Sequence, residues 1–199
     1  MPSALLLIDV QKIYTMPGSA LFVEHHEAAI ANMNRLIAVS VAASDLIIYV
    51  RHEHKVDGSD AGRMFDYLGT PGPLGFVENT STVEFDPGLN IVSPAIHMKK
   101  QRYSCLTGTG LTEILRENGV NTVIVAGFMT NYCCETTARH AHDEDFYVDF
   151  MMDATGCPDL SSEVTQEKIK TVVAQSLQQG FARVHTTDDF LENRFLPAN

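Results

Sequence analysis

Two adjacent cysteines, Cys133 and Cys134, stand where an apolar run gives way to a helix. Val123–Ala126 reads as a strand, Gly127 breaks it, and Thr136–His142 reads as helix after a polar turn. A thiol there gains reactivity twice. The positive end of the helix dipole favours thiolate over thiol, and the free N–H groups of the first turn can bind an oxyanion. An unperturbed cysteine has a pKa of about 8.5, so at neutral pH a nearby base and a nearby cation are both needed. Two other segments offer them. ALLLIDV, Ala4–Val10, is an apolar run carrying Asp9, and IHMKKQRY, Ile96–Tyr103, carries Lys99 and Lys100. In a parallel sheet the C-terminal ends of neighbouring strands converge on one crevice, where an acid, a lysine and a thiol could meet. Each residue also has a plainer use: a cysteine as a small buried hydrophobe, an aspartate as a turn cap, a lysine as a solvated surface charge.

The elements that would position these groups alternate along the chain. After the first strand, Glu24–Ala42 reads as a helix with Ile30, Met33, Ile37 and Val41 on one face, and Leu46–Val50 as a strand. Leu111–Glu117 is a helix ended by Asn118-Gly119, Val120–Ala126 is the strand that feeds the thiols, and Tyr147–Met152 is another strand. Glu163–Gln179 follows as a helix with Val164, Ile169, Val172, Val173 and Leu177 on its buried side, then Ala182–His185 as a last strand. About six strands separated by helices imply parallel pairing with right-handed crossovers, a three-layer α/β/α domain. The Gly- and Pro-rich stretch from His52 to Pro94 lacks periodicity and is too long for an ordinary connector. Its Phe65, Tyr67, Leu68, Leu74 and Phe76 are more apolar than a solvated loop needs, which points to a homo-oligomer contact over a neighbouring active site, or else to a lid over its own.

Composition narrows the partners. The 199 residues contain 14 Lys plus Arg against 25 Asp plus Glu, a formal net charge of −11, with no basic patch, so nucleic acid is excluded as an expected ligand. No apolar run approaches the roughly 20 residues of a membrane span, and Leu5–Ile8 is too short for a signal peptide. A single domain over 1–199, in the cytoplasm, is expected. The four cysteines have no disulfide-framework or C-x-x-C spacing and read as free thiols. His52 and His54 follow a strand and invite a metal hypothesis; His140 and His142, two apart on a helix, face different directions.

Four motifs taken in order resemble the isochorismatase-like cysteine hydrolases, the superfamily that includes nicotinamidases and N-carbamoylsarcosine amidase: LLLIDVQ at Leu5–Gln11, KQRYSCLTGTGL at Lys100–Leu111, GFMTNYCCETTARHA from Gly127, and MMDATG at Met151–Gly156. The resemblance implies a Rossmann-like sheet of order 3-2-1-4-5-6. It selects Lys100 over Lys99 and Cys133 over Cys134, giving a catalytic set Asp9, Lys100 and Cys133. It further implies an oxyanion hole of the Met129 and Cys133 backbone N–H groups beside a cis Phe128–Met129 peptide. Tyr14, His52, Tyr103, Thr130 and Tyr132 are expected around the pocket, with Arg102 packed near the lysine. The implied activity is hydrolysis of a C–N bond in a small carboxamide or ureido compound through a thioester, with no cofactor. The alternatives are vinyl ether hydrolysis of the isochorismatase type, which often uses a glycine in place of the cysteine, and a non-catalytic binding protein on the same fold. Nicotinamidases that hold a metal carry a tryptophan-containing motif after the second strand. This chain has no tryptophan, so no metal is expected.

Overall fold

A computed structural model of the protein describes residues 2–69 and 74–194. Six strands, β1 Ser3–Ile8, β2 Leu46–His52, β3 Ile96–Lys100, β4 Thr122–Phe128, β5 Tyr147–Gly156 and β6 Arg183–His185, form one sheet in the order β3-β2-β1-β4-β5-β6. Every pairing is parallel. Helices α1 His26–Ala43, α2 Leu111–Glu117, α3 Glu135–Asp143, α4 Gln166–Gln178 and α5 Thr187–Asn193 cover it.

The central strands are apolar throughout because helices cover both faces. Side-chain alternation sorts them into two cores. Leu6, Ile8, Val123 and Val125 meet Leu115, Ala138 and Val173 of α2, α3 and α4 on one face. Leu5, Leu7, Ile124 and Ala126 meet Ile30, Met33, Ile37 and Phe190 of α1 and α5 on the other. Fully burying one such aliphatic side chain contributes about 1.5–3 kcal/mol, so these two layers fix which strands are neighbours.

Several boundaries differ from the sequence reading. The strand expected to end at Ala126 runs through Gly127 to Phe128, and β5 extends to Gly156 past a register shift between Val125 and Gly127. Val41 and Val172, expected on buried faces, are exposed, as is Val164, which precedes α4. In α4 the buried stripe is only Ile169, Val173 and Leu177. Successive helical residues are rotated by about 100°, so Val172 beside Val173 turns outward. α1 buries Ser40 in its last turn instead of Val41 for the same reason. α5 was not anticipated. From His52 to Pro94 the described residues hold one short 3-10 turn, Ser81–Val83, and isolated bridges Gln11–Phe85 and His54–Val77. Among the described residues no helix is long and apolar enough to cross a membrane.

Gly127 shows how tightly β1 and β4 approach just below the crevice. Its φ is +126°, and a Cβ there would lie 2.0 Å from the carbonyl oxygen of Ile8. Gly127→Ala is therefore expected to cost about 3 kcal/mol or more, since strained φ and backbone overlap add. Urea denaturation measures it as a lowered midpoint with an unchanged slope.

Candidate active site

Three side chains of unlike charge meet at the C-terminal end of the sheet. Asp9 follows β1 directly, with a left-handed φ of 53° and its N–H donated to the Val50 carbonyl at 2.8 Å. Lys100 is the last residue of β3, and Cys133 lies in a π-turn, Thr130–Cys134, joining β4 to α3. The Lys100 Nζ lies 2.7 Å from Asp9 Oδ2, donates to Cys133 Sγ at 3.2 Å, and donates to the Arg102 carbonyl at 3.1 Å. Asp9 and Lys100 are fully buried and Cys133 nearly so. The Asp9 carboxylate is turned toward the Lys100 ammonium.

Burial sets the proton positions. It pushes the Asp9 carboxyl above the usual carboxylate range, and the Lys100 ammonium offsets only part of that rise. It would depress the Lys100 ammonium, but the Asp9 carboxylate and the Cys133 sulfur carry that group above its ordinary value. It pushes the Cys133 thiol well up, against the pull of Lys100. The activated thiolate expected from a helix N-terminus is thus not the resting form. The ammonium 2.7 Å from Asp9 favours a carboxylate there, and with Cys133 as a thiol the three groups carry no net charge.

Gln11, in the motif at the end of β1, was not picked out by the sequence reading. Its buried amide accepts from the His52 N–H at 2.9 Å and donates to the His52 carbonyl at 3.0 Å and the Val83 carbonyl at 2.9 Å. It therefore clamps the end of β2 beside the acid. His52 Nε2 and His54 Nε2 are 2.8 Å apart, and His54 Nδ1 lies 3.1 Å from Asp60 Oδ1. Both rings are buried.

A cavity of about 190 Å³ opens over the thiol, with roughly the liquid volume of six waters. Tyr14, His52, Tyr103, Tyr132, Met129 and Cys133 line it. Leu21, Asn131, Pro158 and Leu160 also line it and were not anticipated. Thr130 is excluded: its hydroxyl turns into the protein and donates to Thr155 Oγ1 at 3.0 Å. Phe65, Leu68, Leu74 and Phe76 of the irregular stretch line this same cavity, so the stretch closes its own domain's crevice. The Phe128–Met129 peptide is cis. Arg102 donates to the Asp60 and Gln101 carbonyls. Cys134 is fully buried in the core and does not line the cavity, and all four cysteines are free. His140 instead lies 2.8 Å from Ser104 Oγ.

Asp9, His52 and Cys133 offer donor atoms within 4.8 Å of one another, near enough in principle to share a cation. The residues do not fit one. The Lys100 ammonium contacts two of the three, so a dication would be held against a fixed positive charge.

Six parallel strands in this order, with an acid, an ammonium and a thiol buried at their C-terminal ends, define a three-layer α/β domain of the isochorismatase-like type. The isochorismatase domain model matches residues 3–189, and the chain belongs to that family of hydrolases. It is similar to Nicotinamidase 3 of Arabidopsis thaliana, 30% identical over 180 residues, covering 90% of this chain and 82% of that protein. It is 26% identical to a ureidoacrylate amidohydrolase of Variovorax paradoxus over 98% of this chain and 82% of that one. A solved cysteine hydrolase from Pseudomonas syringae pv. phaseolicola superposes with a TM-score of 0.87 at 29% identity, covering 96% of this chain and 91% of that chain.

Cys133 faces the cavity and Cys134 does not. Limiting iodoacetamide at neutral pH should therefore label Cys133 first, but more slowly than free cysteine because its thiol holds its proton. Peptide mass spectrometry reads the order of labelling, and glutathione in the same tube supplies the reference rate.

Proposed function

We propose that the chain is a cysteine-dependent amidohydrolase, one domain that cleaves the C–N bond of a small, apolar-bodied carboxamide through a thioester on Cys133. The observation that carries this reading is the Lys100 Nζ touching both Asp9 and Cys133. As the thiol attacks the carbonyl carbon, its proton passes to Asp9. The pair carries one negative charge before and after the transfer, so charge moves from oxygen to sulfur beside the same ammonium without adding to a low-dielectric site. The oxyanion would be held by the Met129 and Cys133 N–H groups. The Tyr132 and Cys134 amides are both spent on the Met129 carbonyl at 3.2 Å, which supports the intervening Cys133 amide as the free donor. Asp9 then returns the proton to the departing nitrogen as the C–N bond breaks. Water gives a proton to Asp9 and attacks the thioester, the C–S bond breaks, sulfur recovers the proton, and the acid leaves.

The relatives named for nicotinamide and ureidoacrylate hydrolysis support the reaction type. The cavity favours the less charged substrate. No Lys or Arg is among the described residues that line it, and aliphatic and aromatic side chains dominate the wall. That composition also disfavours isochorismate, which carries two carboxylates, and with it the vinyl ether reading.

Ammonia released from a panel of nicotinamide, benzamide and ureidoacrylate in EDTA tests the proposal. Release from an uncharged amide is expected, with Cys133→Ala inactive; loss of activity in EDTA and its return with zinc would overturn the metal-free steps. Lys100→Met is expected to lower kcat by about 10²–10³-fold.

Activity should appear as Asp9 ionises, above the usual carboxylate range because burial raises that group, and persist past the ordinary thiol range because Cys133 is raised too. The ammonium lowers Asp9, so its removal in Lys100→Met should move the acid limb to higher pH. A pH profile of kcat/KM of both forms checks the direction.

A further inference from the structure

The imidazoles at the end of β2 form a chain whose proton positions are fixed from its outer end. Asp60 is partly exposed and its carboxylate also accepts the Lys55 N–H, at 3.2 Å from each oxygen. A carboxylate can only accept, so His54 Nδ1, 3.1 Å from Asp60 Oδ1, must carry a hydrogen. Burial, against the opposing pull of Asp60, holds His54 below its ordinary pKa, so the ring is neutral and its Nε2 is a lone pair. His52 Nε2, 2.8 Å away, must then be the donor. His52 is itself held neutral by burial and by the Lys100 and Arg102 charges, which leaves its Nδ1 as an acceptor. Phe76, stacked at 4.5 Å and 21°, fixes the plane of the ring.

His52 lines the cavity, and one of its ring nitrogens lies within 4.8 Å of both Cys133 Sγ and Asp9. A carbonyl carbon in attack range sits about 3–3.5 Å from sulfur, so an amide nitrogen turned toward His52 comes within hydrogen-bond reach of that ring. A second acceptor stands in the same wall: Asn131 Oδ1 is buried with no hydrogen-bond partner among the described residues. Two acceptors match the two N–H groups of a primary carboxamide. An ester or vinyl ether has none to offer.

Resting on the amidase reading above, we propose that His52 is a specificity-determining residue that accepts an N–H of the substrate carboxamide, with His54 and Asp60 as positioning residues that lock its tautomer. The Asp60–His54–His52 chain thereby selects amides over the corresponding esters. Both substrates pass through the same thioester, so their ratio isolates the first chemical step.

The probes are benzamide with methyl benzoate and nicotinamide with methyl nicotinate, assayed on the full chain. In His52→Leu the amide-to-ester ratio of kcat/KM should fall by about 10-fold to 10²-fold, the loss expected for an unmade hydrogen bond in a buried site. His52→Asn, whose side-chain oxygen can take the place of Nδ1, should recover part of the ratio, and Asp60→Ala should lower it by less than His52→Leu. Histidine ring nitrogen NMR on the wild-type protein needs no activity and should find hydrogen on His52 Nε2 and His54 Nδ1. Hydrogen on His52 Nδ1, or a folded His52→Leu with an unchanged ratio, would overturn the inference. So would stoichiometric zinc retained by the wild type and lost in His54→Ala. If wild type hydrolyses the esters but releases no ammonia, the amidase reading fails and the inference with it, whereas an active amidase with an unmoved ratio sinks the inference alone.

Discussion

One buried ammonium organises this molecule. Lys100 has no water to solvate it, and its stability rests on an acid from β1, a carbonyl from its own strand's exit and a sulfur from the turn after β4. Removing either member of such a buried ion pair typically costs about 3–5 kcal/mol, because the survivor is left charged in a low-dielectric interior. From the end of β3 the lysine side chain reaches past β2 to the acid that follows β1 and the thiol that follows β4. The absence of a side chain at Gly127 lets β4 approach β1 closely at Ile8, beside the acid.

Much of this was legible in the chain. Alternating apolar strands and periodic helices gave the layers, and the lysine, acid and thiol fell where converging strand ends would bring them together. The ranking of Lys100 over Lys99 and Cys133 over Cys134 came from ordered motifs, and it agrees with side-chain direction. Lys99, one residue earlier on a pleated strand, points to the opposite face and pairs with Glu53 at 2.8 Å. The helix at Thr187–Asn193 carried a readable start signal, since the Thr186 hydroxyl accepts the Asp189 N–H at 3.2 Å, yet the segment is too short for its periodicity to stand out.

Other features were hidden for physical reasons. A helix N-terminus suggests a lowered thiol pKa, but desolvation depends on the whole fold and outweighs it here. Gln11 reads as an ordinary polar residue until β2 is seen beside it, when its amide becomes a replacement for missing ladder bonds. The irregular stretch could be read as apolar but not as to what it covered, because contacts between distant segments leave no periodic trace. Thr130, counted with the pocket by its neighbours in the motif, turns inward because the π-turn aims it at β5.

The same separation of inside from outside divides the molecule's response to salt. Asp9, Lys100 and Cys133 are buried, so salt screens the attraction among them little. The exterior differs, because a surface of net charge −11 repels anions over about 10 Å at 0.1 M salt. Encounter with an uncharged molecule escapes that field, while a carboxylate-bearing one must climb it before reaching an apolar mouth. The acidic surface thus acts as a first filter on arrivals, one whose strength is set by the surrounding medium and owes nothing to the shape of the pocket.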